Sequence, residues 1–209
     1  MSVPPIWNTR SHDLAAATTL ERELHLSPVT ARLLAIRGLT DPDAASRFLN
    51  PSLDQLYDPF KLAGLAAAVE RVETAIAARE RISVHGDYDV DGITSTVILR
   101  RALELLGADV THFIPERLTD GYGLQPGTID RLQAEGVKLI VSVDCGIRGA
   151  EAARRARELG VDLIITDHHE PDSELPDCCA VVNPKRHDCN YPDKNLAGVG
   201  VALKVVQAL

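Results

Sequence analysis

Ile82-Ser-Val-His85-Gly-Asp87-Tyr-Asp89-Val-Asp91-Gly92, followed by ITSTVILRRALELL (93–106), is the stretch on which the fold turns. A short apolar run, Ile82–His85, has strand composition. The glycine-flanked acidic loop after it breaks the strand, and 93–106 then carries apolar residues at helical spacing. The same unit recurs downstream. Further strand-like runs lie at Val110–Ile114, Leu139–Val143, Leu163–Thr166 and Ala180–Val182, and helical patterns lie near 127–135, 149–159 and 199–209. Strands alternating with amphipathic helices predict an α/β fold: a parallel sheet of about five strands with helices on both faces.

Upstream of this unit the rhythm differs. Residues 62–80 (LAGLAAAVERVETAIAARE) are Ala-rich with helical periodicity. Residues 1–60 are polar and helical with proline breaks. One helix starts at Ser27-Pro28, another at Asp41-Pro42, and a loop runs from Asn50 to Phe60. Two units are therefore expected, a small helical extension over 1–60 and the α/β domain over 61–209. The chain stops in a helical pattern at Val205-Val-Gln-Ala-Leu209. With no C-cap glycine there, the expectation is a piece of a longer protein.

The net charge is −8, from 22 Lys and Arg against 30 Asp and Glu. That balance argues against a basic nucleic-acid platform, although bound cations would reverse the sign locally. No apolar run reaches the roughly 20 residues that cross a bilayer. The first residues, MSVPPIWNTR, lack a secretory pattern. A cytoplasmic protein with no membrane partner is expected. Cys145, Cys178, Cys179 and Cys189 have no CxxC spacing and read as free thiols.

Three acids at alternate positions after a strand repel one another unless a cation is held. His85, four residues before Asp89, adds an imidazole, and mixed carboxylate and imidazole ligands suit manganese. A calcium loop of the EF-hand type would need a glutamate where Ile98 stands, and a helix where a strand stands. Two further motifs follow strands: Ser142-Val-Asp144-Cys-Gly146, and Thr166-Asp167-His168-His169-Glu170. The carboxyl ends of parallel strands share one edge of the sheet, so all three motifs should meet at one crevice.

HGDYDVDG, VDCG and TDHH, in this order, resemble the first three motifs of the DHH phosphoesterases over roughly residues 80–209. Ile114-Pro-Glu-Arg117, Gly121-Tyr-Gly-Leu124, Asn183-Pro184, Leu196–Ala202, Phe48–Ser52 and Asp58-Pro-Phe60 resemble that family's single-strand DNA exonuclease branch. The resemblance implies a two-metal phosphodiester hydrolase, a 5′→3′ exonuclease on single-stranded DNA in repair and recombination. It implies two divalent ions, manganese first and magnesium also admissible. His85, Asp89 and Asp144 would hold one ion. Asp91, Asp144 and His168 would hold the other, with Asp144 bridging. His169, Asp144 and Asp87 form the implied catalytic set. His169 would stand by the scissile phosphate, and Asp87 would act as an outer ligand or as an acid behind the ligands. Arg117 would bind a substrate phosphate.

The family's fourth motif, another aspartate ligand, is expected beyond Leu209, as are a DHH-associated domain and an oligonucleotide-binding OB domain. This piece alone is then expected to bind one ion better than two and to show little exonuclease activity. By resemblance, a helicase or a single-strand-binding protein would be its partner. Two other readings compete: a DHH hydrolase of small substrates (oligoribonucleotide, cyclic dinucleotide or pyrophosphate), and a non-catalytic DNA-binding scaffold of the same fold. Weaker signals have plainer readings. Gly198-Val-Gly200 reads as close packing, because the third glycine of a dinucleotide motif is replaced by Leu203. Cys178, Cys179, His187 and Cys189 are poorly spaced for zinc. Arg154, Arg155 and Arg157 read as a solvated helix face.

Overall fold

The computed structural model describes residues 8, 10–116, 121 and 123–209. Two compact units divide between Leu56 and Tyr57. The first holds three helices, α1 (Leu14–Leu24), α2 (Pro28–Ile36) and α3 (Pro42–Leu49). Asp13, Ser27 and Asp41 cap them, accepting hydrogen bonds from backbone N–H groups of the first turn. α2 and α3 start on proline, which lacks the N–H that a first turn leaves unpaired. Leu20, Ala31, Leu34 and Ala45 form the buried core of this unit. The periodicity had marked α2 and α3 individually, and α1 only as part of a helical region.

The second unit begins at Tyr57, before the 60/61 boundary suggested by the prolines. The Tyr57 carbonyl accepts a 2.6 Å hydrogen bond from Lys204 Nζ. Its ring meets Tyr191 edge-on at 6.0 Å. These contacts bind the segment to the α/β domain.

In that domain β1 (Ile82–His85), β2 (Val110–Phe113), β3 (Leu139–Val143), β4 (Asp162–Thr166) and β5 (Ala180–Val182) form one sheet. The order is β2-β1-β3-β4-β5, and every pairing is parallel. The expected fold class is therefore the one observed. Side-chain alternation sorts the core into two layers. Ile82, Val84, Leu139, Val141, Val143 and Ile164 pack toward α4 (Leu65–Ala77), α5 (Val90–Leu105) and α8 (Gly198–Ala208). Ile140, Leu163, Ile165 and Val181 pack toward α6 (Pro126–Ala134) and α7 (Ala150–Glu158). β1 and β3 are buried along their whole length, whereas edge strand β2 is only partly covered. Burial at about 1.5–3 kcal/mol per large aliphatic side chain makes β1 and β3 the anchors of the sheet.

α5 starts at Val90, earlier than its apolar periodicity suggests. Asp89 accepts hydrogen bonds from Asp91 N (2.9 Å) and Gly92 N (3.0 Å) and so caps the helix. From β1 the chain crosses by α5 to β2 on one side, then by α6 to β3 on the other. This reversal opens a crevice at the carboxyl ends of β1 and β3.

Candidate metal centre

The three motifs meet at that crevice. Asp144 follows β3 with φ +61 and is 1% exposed. Its Oδ1 has no completed hydrogen bond, although His168 Nε2 lies 3.1 Å away. His168 Nε2 is also 3.6 Å from Asp91 Oδ2. Asp91 is held from across the chain, its two oxygens accepting 2.7 Å bonds from Gly198 N and Val199 N at the start of α8. That start lacks a side-chain cap, so a carboxylate there satisfies bare N–H groups. Gly198 is required for a second reason: a Cβ at this position would run into the Asp144 carboxylate.

Asp87, Asp89 and Asp144 each offer an oxygen, all within 4.8 Å of one another, and Asp144, His168 and His169 do the same with mixed ligand atoms. Asp144 belongs to both groups. Burial, and then the charges of Asp91, Asp89 and Asp167, push its carboxyl up to about 8. A divalent cation would relieve both the crowding and the missing hydrogen bond. The oxygen-rich donor set with one or two imidazoles suits manganese or magnesium. The residues fit such ions.

The structure brings together Asp87, Asp89, Asp91, Asp144, His168 and His169, while His85 belongs to neither of the two ligand-atom groups. Pleat parity puts Ile82 and Val84 on the α5 face and turns His85 to the opposite one. Its ring stacks on Phe113 at 5.4 Å, and neither nitrogen completes a hydrogen bond. Burial lowers its pKa to about 4, so it stays neutral, although the nearby Gly123 backbone favours the charged ring. Asp87, whose role the sequence leaves open, shares one of those groups with Asp89 and Asp144. Arg117 lies outside the described residues.

Asp167 was given no role from sequence, yet it organises the β4 loop. It is 1% exposed. One oxygen accepts from His168 N (2.7 Å), His169 N (3.1 Å) and His169 Nδ1 (2.7 Å), and the other from Ile147 N (2.9 Å). Burial alone would raise its pKa, but the bonds from His169 and Ile147 outweigh it and keep the carboxylate ionised. In return, the bond to Asp167 raises the pKa of His169. An acid two residues before a histidine was the available signal. Asn183 is equally buried and donates to the His169 carbonyl at 2.9 Å.

The weaker signals resolve locally. Arg155 pairs with Asp130 and Glu158, and Arg157 with Asp177. All four cysteines are free thiols. Among the described residues no helix is long and apolar enough to cross a membrane.

Fold and site together define a doubly wound α/β protein with a carboxylate–histidine centre for divalent cations at its switch point. The model of the DHH family, N-terminal domain, matches residues 81–209, and the chain belongs to that family. It is 43% identical over 97% of its length to the single-stranded-DNA-specific exonuclease RecJ of Bacillus subtilis (strain 168), covering 26% of that protein. It is 40% identical over 93% of its length to RecJ of Salmonella typhimurium, covering 33%. A solved structure of RecJ from Thermus thermophilus in complex with Mn2+ matches with a TM-score of 0.73 at 35% identity, over 100% of this chain and 28% of that one. The chain thus spans about a quarter to a third of these relatives.

Proposed function

We propose that this chain is the catalytic portion of a metal-dependent nuclease that hydrolyses phosphodiester bonds of single-stranded DNA, 5′→3′, in DNA repair and recombination. The observation that carries this reading is Asp144, buried, short of a hydrogen bond and shared by two ligand clusters. Asp87 and Asp89 extend the cluster on one side, and His168 with Asp91 extends it on the other. A pair of divalent ions supplies Lewis acidity, lowers the pKa of water and offsets phosphoryl charge. Manganese is the ion of choice and magnesium the second, as in the solved structures of related RecJ proteins.

The remaining work falls to the chain. The N–H groups of Gly198 and Val199 fix the direction of Asp91, so its ligand geometry is set before any ion arrives. Asp167 fixes the His169 ring through Nδ1 and favours its protonated form, leaving Nε2 to donate a proton toward a phosphoryl or leaving 3′ oxygen. His85, at the tip of β1 with its ring stacked on Phe113, has two unpartnered nitrogens and is the further candidate ligand of the β1 loop. The setting is cytoplasmic. DHH-associated and OB domains, with a helicase or single-strand-binding partner, complete the expected assembly.

The test is manganese-dependent nucleotide release from 5′- and 3′-labelled single-stranded DNA, beside short RNA and pyrophosphate. Asp144→Ala serves as control, in a protein carrying this chain together with those further domains. Release from the 5′ end that Asp144→Ala abolishes is expected. Hydrolysis of pyrophosphate alone would overturn the reading.

A further inference from the structure

Next to the metal centre, and sharing His168 and His169 with it, lies an open cavity of about 460 Å3, within the size range of small-ligand sites. Unlike the acidic cluster, its lining includes cations as well as acids. Arg148 and Lys185 stand on its wall, and so do Gln125 and Gly149, the residues that immediately precede α6 and α7. Neither α6 nor α7 has a side-chain cap, so both present the positive end of a nine-residue helix to this region. Asp167 also lines the cavity and is ionised, but its charge is directed into four donors from Ile147, His168 and His169, the last of which it favours in the protonated form. The acid that does face the cations is Glu170. It pairs with Lys185 at 3.1 Å, and its carbonyl accepts from Arg148 Nε at 3.3 Å. Asp172 lies 3.7 Å from Arg148. The Glu170 side chain is 70% exposed and can swing out, whereas Lys185 is 27% exposed and held in place.

The backbone beneath Lys185 is locked to the metal centre. The buried amide of Asn183 accepts from Lys185 N at 2.8 Å and donates to the carbonyl of His169 at 2.9 Å. One side chain therefore sets the spacing between the catalytic imidazole and this cation.

We propose that this cavity is an anion pocket for a backbone phosphate of the bound strand, adjacent to the one being cut, with Arg148 and Lys185 as its positioning residues and Glu170 as the group a phosphate displaces. The inference rests on the nuclease reading and deepens it. An acidic protein needs some cationic ground on which to hold a polyanion, and this pocket supplies it next to the reaction centre.

The experiment is binding of a fluorescent single-stranded oligodeoxynucleotide to the chain, with calcium as the probe metal, across a range of salt. dTMP is titrated in parallel. Arg148→Ala and Lys185→Ala should each weaken oligonucleotide binding by about tenfold and lower the salt slope by about one. Lys185→Arg should restore most of it. Glu170→Gln should tighten binding severalfold, an opposite sign that mere damage to the fold would not produce. Manganese affinity should stay within about threefold in the Arg148 and Lys185 variants, since neither residue joins the ligand clusters.

Unchanged oligonucleotide binding in both alanine variants, beside a wild type that binds, would overturn the pocket alone. So would a loss confined to dTMP, which marks a site for free nucleotide, or a weakening in Glu170→Gln. A wild type that neither binds nor cuts single-stranded DNA in any form would remove the nuclease reading and this inference with it.

Discussion

The loops after β1 and β4 look alike on paper, each mixing aspartate with histidine at a strand tip, but they are built on opposite principles. In the β1 loop the acids are directed by backbone N–H groups and keep ligand atoms turned to the crevice. Asp89 caps its own helix, and Asp91 reaches 107 residues onward to α8. In the β4 loop the acid is spent inside the protein. Asp167 is surrounded by donors, and it is the histidines that turn outward. The lesson is that a carboxylate's role at a metal site follows from how many donors its oxygens already serve, two backbone N–H groups for Asp91 against four donors for Asp167. Asp144, between the two loops, is the extreme case, buried with one oxygen short of a bond.

That contrast can be broken most directly at Asp144. Asp144→Asn should lower manganese affinity by about a hundredfold or more, while raising the stability of the chelated protein at pH 8. Calorimetric titration and thermal melts check the two halves. A loss of both would show that Asp144 is structural. Asp167→Asn should act at one remove, lowering manganese affinity by about 10- to 100-fold and returning the His169 pKa toward its ordinary range. NMR titration of the imidazole reads that shift, and an unmoved pKa would remove Asp167 from its role.

A smaller effect separates the two candidates of the β1 loop. Asp87→Asn should cost about tenfold in manganese affinity, whereas His85→Phe, which preserves the stack on Phe113, should stay within about threefold. Isothermal titration decides. The reverse order would restore His85 to the ligand set.

The gentlest prediction concerns pH. The Asp144 carboxyl titrates near 3.8 when unfolded and is pushed up to about 8 in the folded chain. Between those values the folded form binds a proton that the unfolded form has lost. The stability of the chelated protein should therefore fall as pH rises from about 4 to about 8, by at most about 1.4 kcal/mol per pH unit, and then level off. Urea denaturation across that range checks it. Manganese, which requires the ionised carboxylate, should abolish or invert the slope. A slope unchanged in Asp144→Asn would assign it to another group.

Much of this architecture was legible before any coordinates. Short strands alternating with amphipathic helices dictate a covered parallel sheet, and a parallel sheet puts every strand tip on one edge. That rule alone brought Asp89, Asp91, Asp144 and His168 to a common crevice. The division of labour among them was not legible, because it depends on neighbours distant in sequence. Asp91 is aimed by Gly198 and Val199, Asp144 is accommodated by the missing Cβ of Gly198, and Lys185 is tied to His169 through Asn183. His85 shows the limit most plainly. Its parity within β1 follows from the pleat, but only the packed sheet shows Asp87 inside a ligand cluster and the His85 ring stacked on Phe113. Residue type and spacing determine which groups arrive at the sheet edge. Satisfaction of their hydrogen bonds, settled only in the tertiary structure, decides which remain free to hold an ion.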